Sequence, residues 1–236
     1  MTYDYNLLGL VVAGGTGKRL GASIPKQMLP LRGRPILAHT LQVFLDFAPE
    51  VKICTVLHAS LLDEWPDFLS INFPTEIHPR LSACAGGSDR TASVANGLRQ
   101  LQELNGSSPA LVAIHDGVRP FVDRRMLADG FDIAVEKGNA VAGVPVKSSL
   151  RMLTDSGSST AIDRSKFFHV QTPQIFQLTA IAECYAQRGS GPYTDDASLA
   201  EDQGLSIHLY HGSYDNIKIT TPEDLLMAER LFDQKR

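Results

Sequence analysis

Apolar and polar positions follow two rhythms along this chain. Residues 7–13 form a short unbroken apolar run stopped by Gly14 and Gly15, the pattern of a strand covered on both faces. Residues 35–47 then place Ile36, Leu37, Thr40, Leu41, Phe44 and Leu45 at helical spacing, and residues 51–57 return to a strand pattern. After a loop-rich middle, residues 91–104 set Val94, Leu98 and Leu101 on one helical face. Residues 110–114 predict another buried strand, 126–136 a helix, 140–146 a strand, and 206–210 and 217–220 extended segments. A last helix is announced by Thr221 as a capping hydroxyl, Pro222 at the first helical position, and Glu223 and Asp224 at the positive end of the dipole.

Strands alternating with helices predict an α/β fold with a mostly parallel central sheet covered by helices. No repeat or linker interrupts it, so residues 1–236 read as one domain. Residues 148–163 break the rhythm: they are rich in Ser, Thr, Asp and Gly, and Asp155-Ser156-Gly157-Ser158 has the composition of a hairpin tip. Such a hairpin is either a surface flap or an arm that reaches a partner subunit.

Composition narrows the class. An apolar fraction of 43% excludes a disordered tail, and 22 basic against 26 acidic residues give a net charge of -4, which argues against a nucleic-acid surface. Cys54, Cys84 and Cys184 are far apart and odd in number, which suits a reducing cytoplasm better than a disulfide framework. The apolar run at 7–13 is too short for a membrane span and lacks the basic flank of a signal peptide. A cytoplasmic protein without membrane or nucleic-acid partners is expected.

Candidate chemistry begins at Gly14-Gly15-Thr16-Gly17-Lys18-Arg19, directly after the first strand. Three glycines in four positions let backbone N–H groups approach an anion, at the end of the sheet where open α/β folds bind ligands. Neither the phosphate loop G-x-x-x-x-G-K-[ST] nor a full G-x-G-x-x-G is present. The adjacent cations Lys18, Arg19 and Lys26 favour a triphosphate cradle over a plain tight turn. A second pair, Gly86-Gly87, precedes Ser88 and Ser93; it is either a helix cap or a backbone surface for a nucleobase. Asp116 either holds Mg²⁺ or turns the chain before Gly117, and Arg119 either binds a substrate anion or pairs with Asp116 or Asp123. His115 reads as a packed histidine without a role. Lys218, between Ile217 and Ile219, faces solvent if those residues face the core, and needs an anion if both faces are buried.

These pieces stand in a telling order. Ala13-Gly14-Gly15-x-Gly17-x-Arg19 with Pro25-Lys26-Gln27, Gly86-Gly87-x-x-Arg90-x-x-Ser93-Val94, His115-Asp116-Gly117-Val118-Arg119-Pro120, Gln171-Thr172-Pro173-Gln174, Thr194-Asp195-Asp196-Ala197 and Asn216-Ile217-Lys218-Ile219-Thr220 closely resemble the 2-C-methyl-D-erythritol 4-phosphate cytidylyltransferases of isoprenoid biosynthesis. The resemblance implies a Rossmann-like nucleotidyltransferase fold, CTP and a sugar-alcohol phosphate as substrates, Mg²⁺, and a homodimer in which the β-arm, about residues 146–170, exchanges between subunits. It also implies roles. Arg19 and Lys26 would stabilise the transition state, and Arg164 from the arm and Lys218 would position the sugar phosphate. Gly14, Gly15 and Gly17 would line the CTP site, with Gly87, Ser88 and Ser93 near the cytosine. Asp116, Arg119 and Thr172 would approach substrate and metal. Many members carry an Asp-Thr pair after the Pro-Val that stands here at Pro145-Val146; this chain has Lys147-Ser148-Ser149, where a serine hydroxyl can replace the threonine.

Three other readings compete. Ribitol-5-phosphate cytidylyltransferases share most of these signatures. An NADP-type oxidoreductase would use Gly15, Gly17 and Gly21 but give Lys26 and Lys218 no role. A non-catalytic CTP-sensing module would bind nucleotide without turnover.

Overall fold

Buried strands that are apolar on both sides place a sheet at the centre of the molecule. The structure is a computed structural model that describes residues 3–15, 24–189 and 191–234. In chain order it begins with β1 (Asn6–Ala13), a short ribbon of β2 (Pro30–Leu31) and β3 (Arg34–Pro35), then α1 (Ile36–Phe47), β4 (Lys52–Leu57), α2 (Trp65–Asn72) and β5 (Leu81–Ala85). The middle holds α3 (Arg90–Asn105), β6 (Ala110–Asp116), α4 (Arg124–Lys137) and β7 (Asn139–Pro145). The hairpin β8 (Leu150–Leu153) and β9 (Ser159–Ile162) follows, and the chain ends with β10 (Phe168–Gln177), α5 (Leu178–Gln187), α6 (Asp196–Asp202), β11 (Leu209–His211) and α7 (Pro222–Gln234).

Seven strands form the main sheet in the order β11-β7-β10-β6-β1-β4-β5. β10 runs antiparallel to β6 and β7, and the other pairings are parallel. The fold class expected from the alternation is therefore present. Side chains alternate between the two faces as the strand period requires. Val11, Ala13, Ile53, Leu57, Leu111 and Ala113 face a cluster with α1 and α4, whereas Leu8, Leu10, Cys54, Val56, Val112 and Ile114 face a cluster with α3 and α5. Both faces are thus dry, which is why these strands read as continuous apolar runs. The α3 helix lies close on β1: a Cβ on Gly97 would collide with Leu10 Cδ1.

The expected hairpin forms, with Leu150 opposite Ile162 and Leu153 opposite Ser159, apart from the main sheet. Gly157, at φ +80, supplies the left-handed residue at its tip. Two expectations are corrected. The strand expected at 206–210 is confined to Leu209–His211, and residues 217–220 form no strand, although Ile219 N–H is held by Val118 C=O at 2.9 Å. The strands β5 and β10 and the helices α2, α5 and α6 were not anticipated. Small residues occupy most of edge strand β5, and β10 carries buried Gln171, Thr172 and Gln174 through its middle, so neither shows an apolar run. Among the described residues no helix is long and apolar enough to cross a membrane.

Candidate active site

Parallel strands bring their carboxyl ends to one edge, and the loops that follow β1, β4, β5 and β6 meet there. Register places Val12 beside Asp116 and Val56 beside Cys84, so Gly14, His58, Gly86 and Gly117 leave the sheet as neighbours. A Cβ on Gly14 would lie 3.7 Å from Ser93 Oγ and 3.9 Å from His58 N, and one on Gly15 would lie 3.9 Å from Lys26 Cε. The glycine turn, Lys26 and the start of α3 therefore lie next to one another. Gln27, buried beneath the turn, donates from Nε2 to Ala13 C=O at 2.6 Å and fixes where the turn leaves β1. Gly17 and Arg19, with Lys18, lie outside the described residues.

The Gly86-Gly87 turn is built from its own side chains. Gly86 N–H donates to Leu57 C=O, Gly87 N–H donates to Ser93 Oγ at 3.0 Å, and Ser93 Oγ donates to Asp89 C=O at 2.7 Å. Asp89 caps α3 through Ala92 N–H, and Ser88 Oγ donates to its carboxylate at 3.0 Å. The helix-cap reading is thus realised, and both serine hydroxyls have partners within the turn. The backbone of Gly87 remains exposed, and a Cβ there would collide with Ala92 Cβ. Only glycine fits so close to the start of α3.

Asp116 ends β6 as a buried carboxylate. Arg119 Nε stands 3.0 Å and Lys218 Nζ 3.1 Å from the same oxygen, Oδ2. Burial alone would raise its pKa; the cations Lys218, Arg119 and Arg90 outweigh burial and hold it far below the usual carboxylate range. Arg119 also donates from Nη1 to Asn216 C=O at 2.8 Å, which ties the turn after β6 to the segment carrying Lys218. Arg119 thus forms the ion pair with Asp116 that was its plainer reading. Lys218 is 40% exposed and paired with Asp116, between the two environments expected for it.

Thr172 lies buried against this turn, its Oγ accepting from Asp116 N–H at 3.0 Å and contacting His115 Nδ1 at 3.0 Å. His115 Nε2 meets Arg119 C=O at 3.1 Å, and burial lowers the imidazole pKa to about 4. The hydroxyl of Thr172 therefore serves the turn directly. Asn216 Nδ2 donates to Thr172 C=O at 2.8 Å.

Asp116, Arg119, Thr172 and Lys218 are thus brought together; nearby, Gly14 approaches Ser93, Gly15 approaches Lys26, and Gly87 is bonded to Ser93, while Ser88 is bonded to Asp89. Arg164 is not among them: it is exposed at the base of the hairpin and donates to Lys147 C=O. A groove of about 870 Å³ at the opposite edge of the sheet, lined by Tyr3, Tyr5, Phe47, Arg124 and Arg125 among others, contains none of these residues.

Residues 7–234 match the family model described as 2-C-methyl-D-erythritol 4-phosphate cytidylyltransferase. The chain belongs to this family. A curated cytidylyltransferase of that name from Bacteroides thetaiotaomicron is 38% identical over 222 residues, covering 94% of this chain and 97% of the relative. The crystal structure of the Thermus thermophilus cytidylyltransferase is similar with a TM-score of 0.73 at 30% identity, over 95% of this chain and 98% of that one. A 4-diphosphocytidyl-2C-methyl-D-erythritol synthase from Anaerococcus prevotii shares the fold with a TM-score of 0.83 at 24% identity, over 98% and 97% of the two chains.

Several residues around the candidate site have no role assigned from the sequence. Asp196, fully buried, takes a bidentate pair from Arg90 at 2.9 and 2.7 Å and a hydrogen bond from Tyr185 at 2.5 Å. Gln174 donates to the neighbouring Asp195 and accepts from Ala197 N–H. The motifs Gln171-Thr172-Pro173-Gln174 and Thr194-Asp195-Asp196-Ala197 were visible, but nothing local shows that they lock to each other and to Arg90.

Proposed function

We propose that this chain transfers the cytidylyl group of CTP to 2-C-methyl-D-erythritol 4-phosphate, releasing pyrophosphate and forming 4-diphosphocytidyl-2-C-methyl-D-erythritol. The observation that carries the assignment of residues is the Lys218–Asp116–Arg119 cluster beside the Gly14–Gly15 turn and Lys26. A phosphate oxygen of the acceptor attacks the α-phosphorus in line, and being anionic already it needs no general base. The difficulty is to bring two polyanions together and to stabilise charge at phosphorus, which preorganised cations do by position and electrostatics. Lys26, near the glycine turn, takes the triphosphate, and Arg19 shares with it the task of stabilising the transition state. Lys218, aimed by Asp116, takes the acceptor phosphate. Gly14, Gly15 and Gly17 admit the triphosphate to the backbone, and Gly87, Ser88 and Ser93 form the wall for the cytosine.

The residues also suit Mg²⁺. Both cations address Oδ2 of Asp116, leaving Oδ1 without a bond from a described side chain. No cluster of three or more potential protein ligands occurs among the described residues. That donor set fits an ion held by one carboxylate together with substrate phosphates, the usual arrangement for Mg²⁺. When bound, the ion would neutralise phosphate charge.

A homodimer is part of the proposal. Met152, Leu153, Phe167, Phe168 and Val170 leave apolar surface exposed on and beside the hairpin, in keeping with an arm that closes on a second copy. Arg164 would then serve the neighbour's acceptor site, beside Ser148 and Ser149. The free cysteines suit a cytoplasmic setting. Pyrophosphate release measured with CTP and each acceptor in turn tests the assignment. Turnover is expected with methylerythritol phosphate; turnover with ribitol 5-phosphate instead, or saturable CTP binding with none, would overturn it.

A further inference from the structure

We infer that His115 is a positioning residue for the reaction, holding the turn that presents the Asp116–Lys218 pair. The inference rests on the role given to Lys218 above. His115 is fully buried on β6, against Phe44 and one residue before Asp116. Its two ring nitrogens have different partners, and those partners assign the tautomer. Arg119 C=O can only accept, so Nε2 carries the hydrogen and donates across 3.1 Å. Nδ1 then accepts from the Thr172 hydroxyl at 3.0 Å, and Thr172 Oγ accepts from Asp116 N–H at 3.0 Å.

The result is a closed circuit under the site. It runs from Arg119 C=O through the imidazole and the Thr172 hydroxyl to the backbone of Asp116, and returns through the Arg119–Asp116 ion pair at 3.0 Å. Above it, Arg119 Nη1 holds Asn216 C=O and Val118 C=O holds Ile219 N–H, so the residues on both sides of Lys218 hang from the same turn. His115 touches no space that a substrate enters. Its effect passes through the direction in which Asp116 and Arg119 point, and through them to the Lys218 ammonium.

Three substitutions separate positioning from bulk stability. His115→Phe keeps a ring in the cavity and removes both bonds. His115→Gln can restore a donor to Arg119 C=O, and His115→Asn an acceptor for Thr172. The measurements are kcat, KM for each substrate and melting temperature of the full chain, with Lys218→Ala in parallel. His115→Phe is expected to lower kcat about 10- to 100-fold, as loss of an outer partner does at comparably supported sites, while KM for CTP stays unchanged. His115→Gln should recover part of that loss. Wild-type kcat in folded His115→Phe, or a fall in melting temperature alone across all three variants, would overturn the inference. If His115→Phe does not fold, the other two decide: reduced kcat in both supports positioning, and wild-type kcat in both overturns it. Should Lys218→Ala itself turn over normally, the site assignment fails and this inference with it. Slow Lys218→Ala beside normal His115 variants defeats this inference alone.

Discussion

Replacing Lys218 by alanine separates what the site does for the reaction from what it does for the fold. The ammonium stands 3.1 Å from Asp116 Oδ2, but the side chain is 40% exposed, so solvent screens much of the attraction. Arg119, only 12% exposed, stays at 3.0 Å and continues to neutralise the buried carboxylate. With Arg119 still in place, loss of a pair whose cation is this exposed costs about 1 kcal/mol, which lowers the melting temperature of a chain this long by roughly 2–4 °C. The reaction loses far more. A preorganised cation that holds the attacking acceptor phosphate in line is worth about 10²–10³ in turnover, or roughly 3–4 kcal/mol, by analogy with single oxyanion donors. Lys218→Ala should therefore remain folded and release pyrophosphate about 100- to 1000-fold more slowly with both substrates saturating. Lys218→Arg, which keeps the charge, should lose less. Wild-type turnover in Lys218→Ala would refute the reasoning, and so would a loss of rate that merely tracks loss of folded protein.

Three further outcomes are expected. Asp196→Asn should destabilise the protein by about 3 kcal/mol in urea titration, because it leaves the largely buried Arg90 guanidinium without its carboxylate; an unchanged midpoint would contradict this. Burial lowers the His115 pKa to about 4, against about 6.5 unfolded, so between those values the unfolded chain binds a proton that the native chain refuses. Stability contributed by the neutral ring is thus present above pH 6.5 and lost as pH falls toward 4, by about 3 kcal/mol; denaturant titrations at both ends should show a smaller loss for His115→Gln, and equal losses would exclude the ring as the source. For the arm, Arg164→Ala and Lys26→Ala chains, each impaired alone, should recover activity when mixed and allowed to exchange subunits, and no recovery after confirmed exchange would falsify the shared site.

Much of this molecule is local in origin. Strands covered on both faces must be apolar throughout, and helices lying on a sheet must show a single apolar stripe, so β1, β4, β6, β7, α1, α3 and α4 can be read one by one. The start of α7 is equally local: Thr221 Oγ accepts from Asp224 N–H and Asp224 accepts in return from Thr221 N–H. The hairpin needs only a polar run with glycine at its tip. β10 is different in kind. Its buried Gln171, Thr172 and Gln174 satisfy Ser213, Asp116 and Ala197, partners in a loop, a strand and a helix that no single window of sequence contains.

The site divides in the same way. The residue types at Gly14, Lys26, Asp116, Arg119 and Lys218 were enough to point to phosphate chemistry, and their order along the chain to a family. Whether Arg119 would pair with Asp116 or with Asp123, and what Lys218 would face, stayed open until the strand order was known. Placing β6 between β1 and β10 puts Asp116 where Arg119, Lys218 and the Thr172 backbone network converge. A buried carboxylate is tolerable only with cations at hand, and which cations those are depends on the distance through space that the sheet creates, not on the distance along the chain.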